Sequence, residues 1–126
     1  MIMLDTSILI HGLGRKRRLA SELRQTIESG ERILLPSLVL YEWLRGPRTP
    51  EELGMQEALF PSEAAVPFGP REAAMGAKLY SSIRRARGRE IDVGIAACAI
   101  CHEAELWTDN RADFEDLPGL RLASIP

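Results

Sequence analysis

Four places in this chain carry residues whose type and setting could do chemistry: Asp5, Glu42, Asp92 and the run "TDNRADF". Asp5 ends a short apolar run, "IMLD", which reads as a buried strand. Capping the following helix is one use for it, but Thr6 or Ser7 could cap equally well and leave the carboxylate free. Glu42 stands in "LVLYEWLR", a helix apolar nearly all round, where a lone carboxylate is costly to bury. Pairing with Arg45 would relieve that cost; a metal or a shared acidic site explains it better. Asp92 opens the apolar helix "DVGIAACAI", where the helix dipole favours an anion. At about 100° per residue Ile95, Ala96 and Ala99 share its face, so its carboxylate belongs at the edge of a packed surface. In "TDNRADF", Asp109, Asn110 and Asp113 follow a strand, with helix capping by Asp109 or Asn110 as the competing use.

Taken together these are oxygen ligands with no histidine or thiolate among them, a set that suits Mg²⁺ or Mn²⁺. A carboxylate-bound divalent ion can lower the pKa of a bound water and neutralise a phosphodiester in its transition state. Hydrolysis of a nucleic-acid backbone is the reaction this chemistry fits best.

The elements that must position these groups alternate. Strands are predicted at 2–5, 32–36, 64–68 and 105–108, with a further one at 120–125. Helices are predicted at 19–29, 38–46 (with Ser37 as N-cap), 50–59, 70–88 and 90–104, and a helical turn at 111–117. This order implies an α/β fold in three layers, a mostly parallel sheet of four to five strands flanked by helices. In such sheets the site lies beyond the carboxyl ends of the strands, where Asp5 and Thr108-Asp109 fall.

A length of 126 residues suits one domain over 1–126, and 45% hydrophobic with 27% charged residues argues against disorder. A net charge of −2 gives no bulk attraction to polyanions. Local basic clusters do exist, "RKRR" at 15–18 and then Arg84, Arg85, Arg87 and Arg89. They could meet phosphates or be solvated helix ends. No run reaches the ~18 apolar residues of a membrane span. The first residues lack the leading positive region of a secretory signal, and Asp5 interrupts the apolar run. The expectation is a cytoplasmic protein without a membrane partner or a structural disulfide.

"CAICH", residues 98–102, matches the letters of c-type haem attachment. Around the helix Cys101 lies about 180° from Asp92 and Cys98 about 120° from it. Both thiols thus face away from the acidic edge as small hydrophobes, His102 suits a helix C-terminus, and no haem is expected.

"LDTSILI", "PSLVLYEWLRG", "EIDVGIAACAI" and "LWTDNRADF", in that order and spacing, resemble the PIN domain, specifically the VapC-type toxins of type II toxin–antitoxin pairs. The resemblance covers essentially the whole chain. It implies a metal-dependent endoribonuclease using Mg²⁺ or Mn²⁺, a homodimer, an RNA substrate and a small cognate antitoxin. Its acids map onto Asp5, Glu42, Asp92 and a fourth position, for which Asp113 ranks ahead of Asp109. Asp5 and Asp92 would bind the metal most directly. Thr6, Thr108, Asp109 and Asn110 would support the site, and Arg15, Lys16, Arg17, Arg18, Arg84 and Arg85 would hold RNA phosphates. Leu38, Leu40, Tyr41, Trp43 and Leu44 could line a partner groove or a dimer face, with core packing the use for at least half of them. A PIN nuclease acting in RNA maturation and a non-catalytic acidic regulatory module are the alternatives.

Overall fold

In the computed structural model, which describes residues 1–125, the first apolar run forms strand β1 (Ile2–Leu4), almost wholly buried. Helices α1 (Thr6–Leu13) and α2 (Ala20–Glu28) follow, then strand β2 (Ile33–Leu34) and helices α3 (Ser37–Arg45) and α4 (Pro50–Leu59). Helices α5 (Pro70–Ser82) and α6 (Glu90–Cys101) lead to strand β3 (Glu105–Trp107), with 3₁₀ turns at Ser62–Ala64 and Arg111–Asp113. The end of the expected domain, Pro126, lies outside the described residues.

The sheet is parallel in the order β2-β1-β3, so the strand that delivers Asp5 lies at its centre. Met3 pairs with Leu34 on one side and Leu106 on the other, and Leu4 pairs with Trp107. Ile8 and Leu9 of α1, Val39 and Trp43 of α3 and much of α6 join β1 in one core. Helix α6 is buried from Val93 to Ala99, which explains a sequence apolar all round. Its alanines let α5 pack closely, and a Cβ added at Gly76 would already lie 3.7 Å from Ala97.

Among the described residues three strands are paired where four to five were expected. The other two, at 64–68 and 120–125, shrink to single parallel bridges, Pro36 with Val66 and Leu106 with Leu122. Pro36 and Pro67 lack the N–H that a longer ladder between those segments would need. Helix α5 stops at Ser82 rather than 88. Ser81 and Ser82 turn their hydroxyls back onto the carbonyls of Ala77 and Leu79, a competition that weakens the helix, and Ile83 is already extended. Ser37 is the first helical residue rather than the N-cap: Pro36 holds the cap and the Ser37 N–H donates to Val66. Among the described residues no helix is long and apolar enough to cross a membrane.

Candidate active site

Asp5 sits where β1 hands over to α1. Its N–H extends the ladder to the Trp107 carbonyl at 3.0 Å, and its carboxylate is buried, with the residue 4% exposed. It occupies the N-cap position of α1 but makes no side-chain cap bond. Instead Oδ2 accepts from Ser7 Oγ at 2.9 Å and from Thr108 Oγ1 at 2.7 Å. Each hydroxyl is oriented in turn by a main-chain donor: Asp109 N–H to Ser7 Oγ at 3.0 Å, and Asn110 N–H to Thr108 Oγ1 at 2.9 Å. The turn after β3 therefore holds Asp5 in place, as expected for a buried carboxylate whose acceptors must be satisfied.

Glu42 reaches the same region from α3. Thr6 Oγ1 donates to its Oε1 at 2.5 Å, and Arg45 stands 3.6 Å from its Oε2. The arginine pairing weighed for this residue is present as a loose contact, beside a hydroxyl donor. Asp92 projects from the first turn of α6 and is half-buried. Burial, then the charges of Asp5, Glu42 and Asp113, push its pKa up to about 6, with Arg89 opposing them. Four carboxylates from distant stretches of sequence therefore share one electrostatic neighbourhood at the carboxyl end of the sheet.

The structure separates the two candidates for the fourth acid. Asp113 ends the 3₁₀ turn and acts on Asp92. Asp109 is drawn the other way, to His11 Nδ1 at 2.9 Å and to the Arg18 guanidinium. Asn110 contributes its main-chain N–H to Thr108. Arg15, Lys16, Arg17 and Arg18 are exposed on the α1–α2 connection. Arg17 is paired with Glu51 at 2.9 Å and Arg18 with Asp109, whereas Arg15 and Lys16 line a cleft of about 610 Å³ with His11 and Arg48. Arg84 and Arg85 are exposed on the α5–α6 connection.

Two features had no individual signal in the sequence: the hydroxyl of Ser7 as a holder of Asp5, and Arg89, which forks onto Asp116 and the Asp113 carbonyl. Spacing alone offered a hint for Ser7, two residues after Asp5; Arg89 stood as one member of a basic cluster. Of the "CAICH" cysteines, Cys98 is closed inside the core, where burial and then Glu72 push its thiol up to about 12. Cys101 is half-buried and directs its thiol to the Arg71 carbonyl at 3.8 Å.

Among the described residues no three histidine, cysteine or acidic side chains close into a metal cage. The acids fit a hard cation nonetheless. All donors are carboxylate oxygens, Asp92 is crowded by three like charges, and Mg²⁺ commonly keeps several waters while bound through one or two carboxylates.

The chain matches the family model of the PIN domain over residues 2–120. It is 33% identical to Ribonuclease VapC19 of Mycobacterium tuberculosis over 123 residues, 96% of this chain and 98% of that protein. Its fold is similar to the DNA-bound VapBC structure from Salmonella typhimurium, with a TM-score of 0.77, 20% identity, and coverage of 97% of this chain and 96% of that one. It is also similar to VapBC2 from Rickettsia felis bound to a DNA fragment from the promoter, with a TM-score of 0.71, 22% identity and 98% of both chains covered.

Proposed function

Because this chain belongs to the PIN-domain family, we propose that it is a divalent-metal-dependent endoribonuclease, the toxin half of a type II toxin–antitoxin pair. The observation that carries this is the half-buried Asp92, crowded by Asp5, Glu42 and Asp113. Burial and like charges raise the cost of ionising Asp92, a cost that a bound cation would relieve. The ribonuclease relative supports RNA as the substrate, and the VapBC structures support a small antitoxin as the partner. One PIN domain over residues 1–126, working in the cytoplasm, belongs to the same reading. A homodimer does too, supported by Tyr41 and Leu44, which stand 55% and 49% exposed on α3 while Val39 and Trp43 of that helix fill the core.

Asp5 and Asp92 would hold Mg²⁺ or Mn²⁺, with Glu42 and Asp113 beside them. Such an ion, when bound, supplies an activated water and neutralises charge on the scissile phosphate. The chain's own groups do the rest. Ser7 and Thr108 hold one oxygen of Asp5, which fixes the direction of the other. Thr6 does the same for Glu42, placing it to orient the attacking water. Hydrolysis breaks the bond from phosphorus to the 3′ oxygen and leaves a 5′ phosphate. Arg15 and Lys16, which share their cleft with Arg48 and Glu52, hold flanking phosphates; such contacts position the strand without reading its sequence.

The test incubates purified protein with RNA in Mg²⁺, in Mn²⁺ and in chelator, beside the Asp5→Asn protein prepared identically. Cleavage by the wild type with either ion, absent in chelator and in the variant, is expected. Equal cleavage that co-purifies with the folded variant through a further chromatographic step overturns the assignment of Asp5.

A further inference from the structure

We propose that Arg89 is a positioning residue for the acidic site, clasping the segment that carries Asp113 onto the helix start that carries Asp92. The inference rests on the nuclease reading above and adds a residue that touches none of the reacting atoms.

Arg89 is delivered by a sharp turn. Gly88, at φ +87°, takes the left-handed conformation that a side chain resists, and Arg89 then occupies the N-cap of α6. Its guanidinium forks onto Asp116, Nη1 to Oδ2 at 2.9 Å and Nη2 to Oδ1 at 2.6 Å. Nη2 also donates to the Asp113 carbonyl at 2.8 Å, and Nη1 reaches the Arg85 carbonyl at 3.4 Å. One side chain, 21% exposed, thus bridges the start of α6 to a segment 24 to 27 residues further on.

Phe114 and Leu117 anchor this segment in the core, and Arg89 adds the polar tie on the side of its acid. Asp113 itself is exposed, and its 3₁₀ turn is closed by one bond to the Asn110 carbonyl and two to that of Arg111. Asp116 is half exposed, so as a stabilising surface pair the fork contributes little. Its planar two-point geometry instead sets distance and direction, which a point charge cannot do. A shift of about 1 Å in a catalytic group can cost about a hundredfold in rate. With its donors engaged inside the chain, Arg89 is also a poor candidate for holding RNA phosphate.

Arg89→Lys keeps the charge and loses the fork; Asp116→Asn weakens the fork from its exposed side. Three quantities are compared with wild type: kcat and KM on RNA in saturating Mg²⁺, Mn²⁺ binding followed by calorimetry or electron paramagnetic resonance, and the melting temperature. Each variant is expected to lose about tenfold or more in kcat at unchanged KM, with Mn²⁺ bound correspondingly more weakly. The double variant is expected to fall no further than the worse single one, since both act through the same clasp. A folded Arg89→Lys protein with wild-type kcat and Mn²⁺ affinity overturns the clasp. So does Asp116→Asn with unchanged kcat and lowered KM, the signature of an arginine released to bind phosphate. Should Arg89→Lys not fold, Asp116→Asn decides alone. A wild type that cleaves while the variants match it removes only the clasp; a wild type that neither cleaves RNA nor binds Mn²⁺ removes the nuclease reading and the clasp with it.

Discussion

Replacing Asp92 by Asn should make the metal-free protein more stable while destroying its activity. Asp92 titrates at about 6 in the fold against an ordinary 3.8, chiefly through burial and then through Asp5, Glu42 and Asp113. At neutral pH the ionised side chain therefore opposes folding, by about 3 kcal/mol if the whole difference is realised. The side chain keeps some contact with water, so about 1–3 kcal/mol is expected. Asparagine forfeits the favourable interaction of a carboxylate with the α6 N-terminus, about 0.3–1 kcal/mol, which is smaller than the repulsion removed. For a chain of this size the net gain, up to about 2.5 kcal/mol, corresponds to a rise of up to about 10 °C in melting temperature.

The pH dependence makes the test sharper. Because the folded pKa is raised, the folded state holds the Asp92 proton more tightly than the unfolded chain does. The wild type consequently loses stability relative to Asp92→Asn as pH climbs from about 4 to about 6, and the gap is constant above that. Melting curves in chelator from pH 4 to 8 should show the two proteins diverging across this window. Added Mn²⁺ should then close the gap, since it stabilises only the state that binds it and favours the intact carboxylate. A variant that melts below wild type at pH 7 in chelator, or a gap that does not change with pH, would refute the crowded-carboxylate argument. RNA cleavage by the variant at the wild-type rate would refute the placement of Asp92 in the site.

The remaining expectations concern the rest of the molecule. Ser7→Ala removes one donor to Asp5 and the acceptor of the Asp109 N–H, and should destabilise the protein by about 1–3 kcal/mol in urea melts and lower kcat more than it raises KM. Arg15→Ala combined with Lys16→Ala should weaken RNA binding and lower the slope of log affinity against log salt by about 1.4, which titrations at several salt concentrations would detect. Trp43→Ala empties a site with no solvent exposure and should cost about 3–5 kcal/mol, read as a lower denaturation midpoint at unchanged m. Trp43→Phe should cost less, because it also removes an indole N–H that has no hydrogen-bond partner among the described residues.

Local order in the fold was legible wherever one kind of signal dominated. Helix α4 runs over Pro50–Leu59 as predicted, and its start is set by adjacent residues: Thr49 and Glu52 form a reciprocal capping box, with proline at the first helical position. The end of α5 was not legible, because Ser81 and Ser82 read as ordinary helical residues until their hydroxyls are seen bonding back to carbonyls. Apolar stretches such as "AAVPF" and "LRLASI" carry strand composition, but pairing length depends on what the neighbouring strand offers, and each finds a single bridge. Cys98 falls between these cases: its place in an all-apolar helix foretold a buried thiol, whereas Cys101 three residues on is only half-buried.

The site divides along a similar line. Asp5, Glu42 and Asp92 stood out because each is a charge where the local pattern calls for an apolar residue or a helix start, a conflict that a single sequence displays. Asp109 and Asp113 could not be ranked on that basis, since both lie in a polar turn. What separates them is decided 91 to 98 residues away, where Arg18 and His11 of the α1–α2 region claim Asp109. That division also gives the two acids different work. Through its main-chain N–H and its side chain, Asp109 ties the turn after β3 to α1, and so helps keep Ser7 on Asp5. Among the described residues no cation forms an ion pair with the Asp113 carboxylate, which adds its charge to that around Asp92. A centre that must repel itself when empty needs such ties from outside. Ser7, Thr108 and Arg89 supply them while leaving the carboxylates of Asp92 and Asp113 without a direct ion pair among the described residues, although the Arg89 charge offsets part of the repulsion on Asp92.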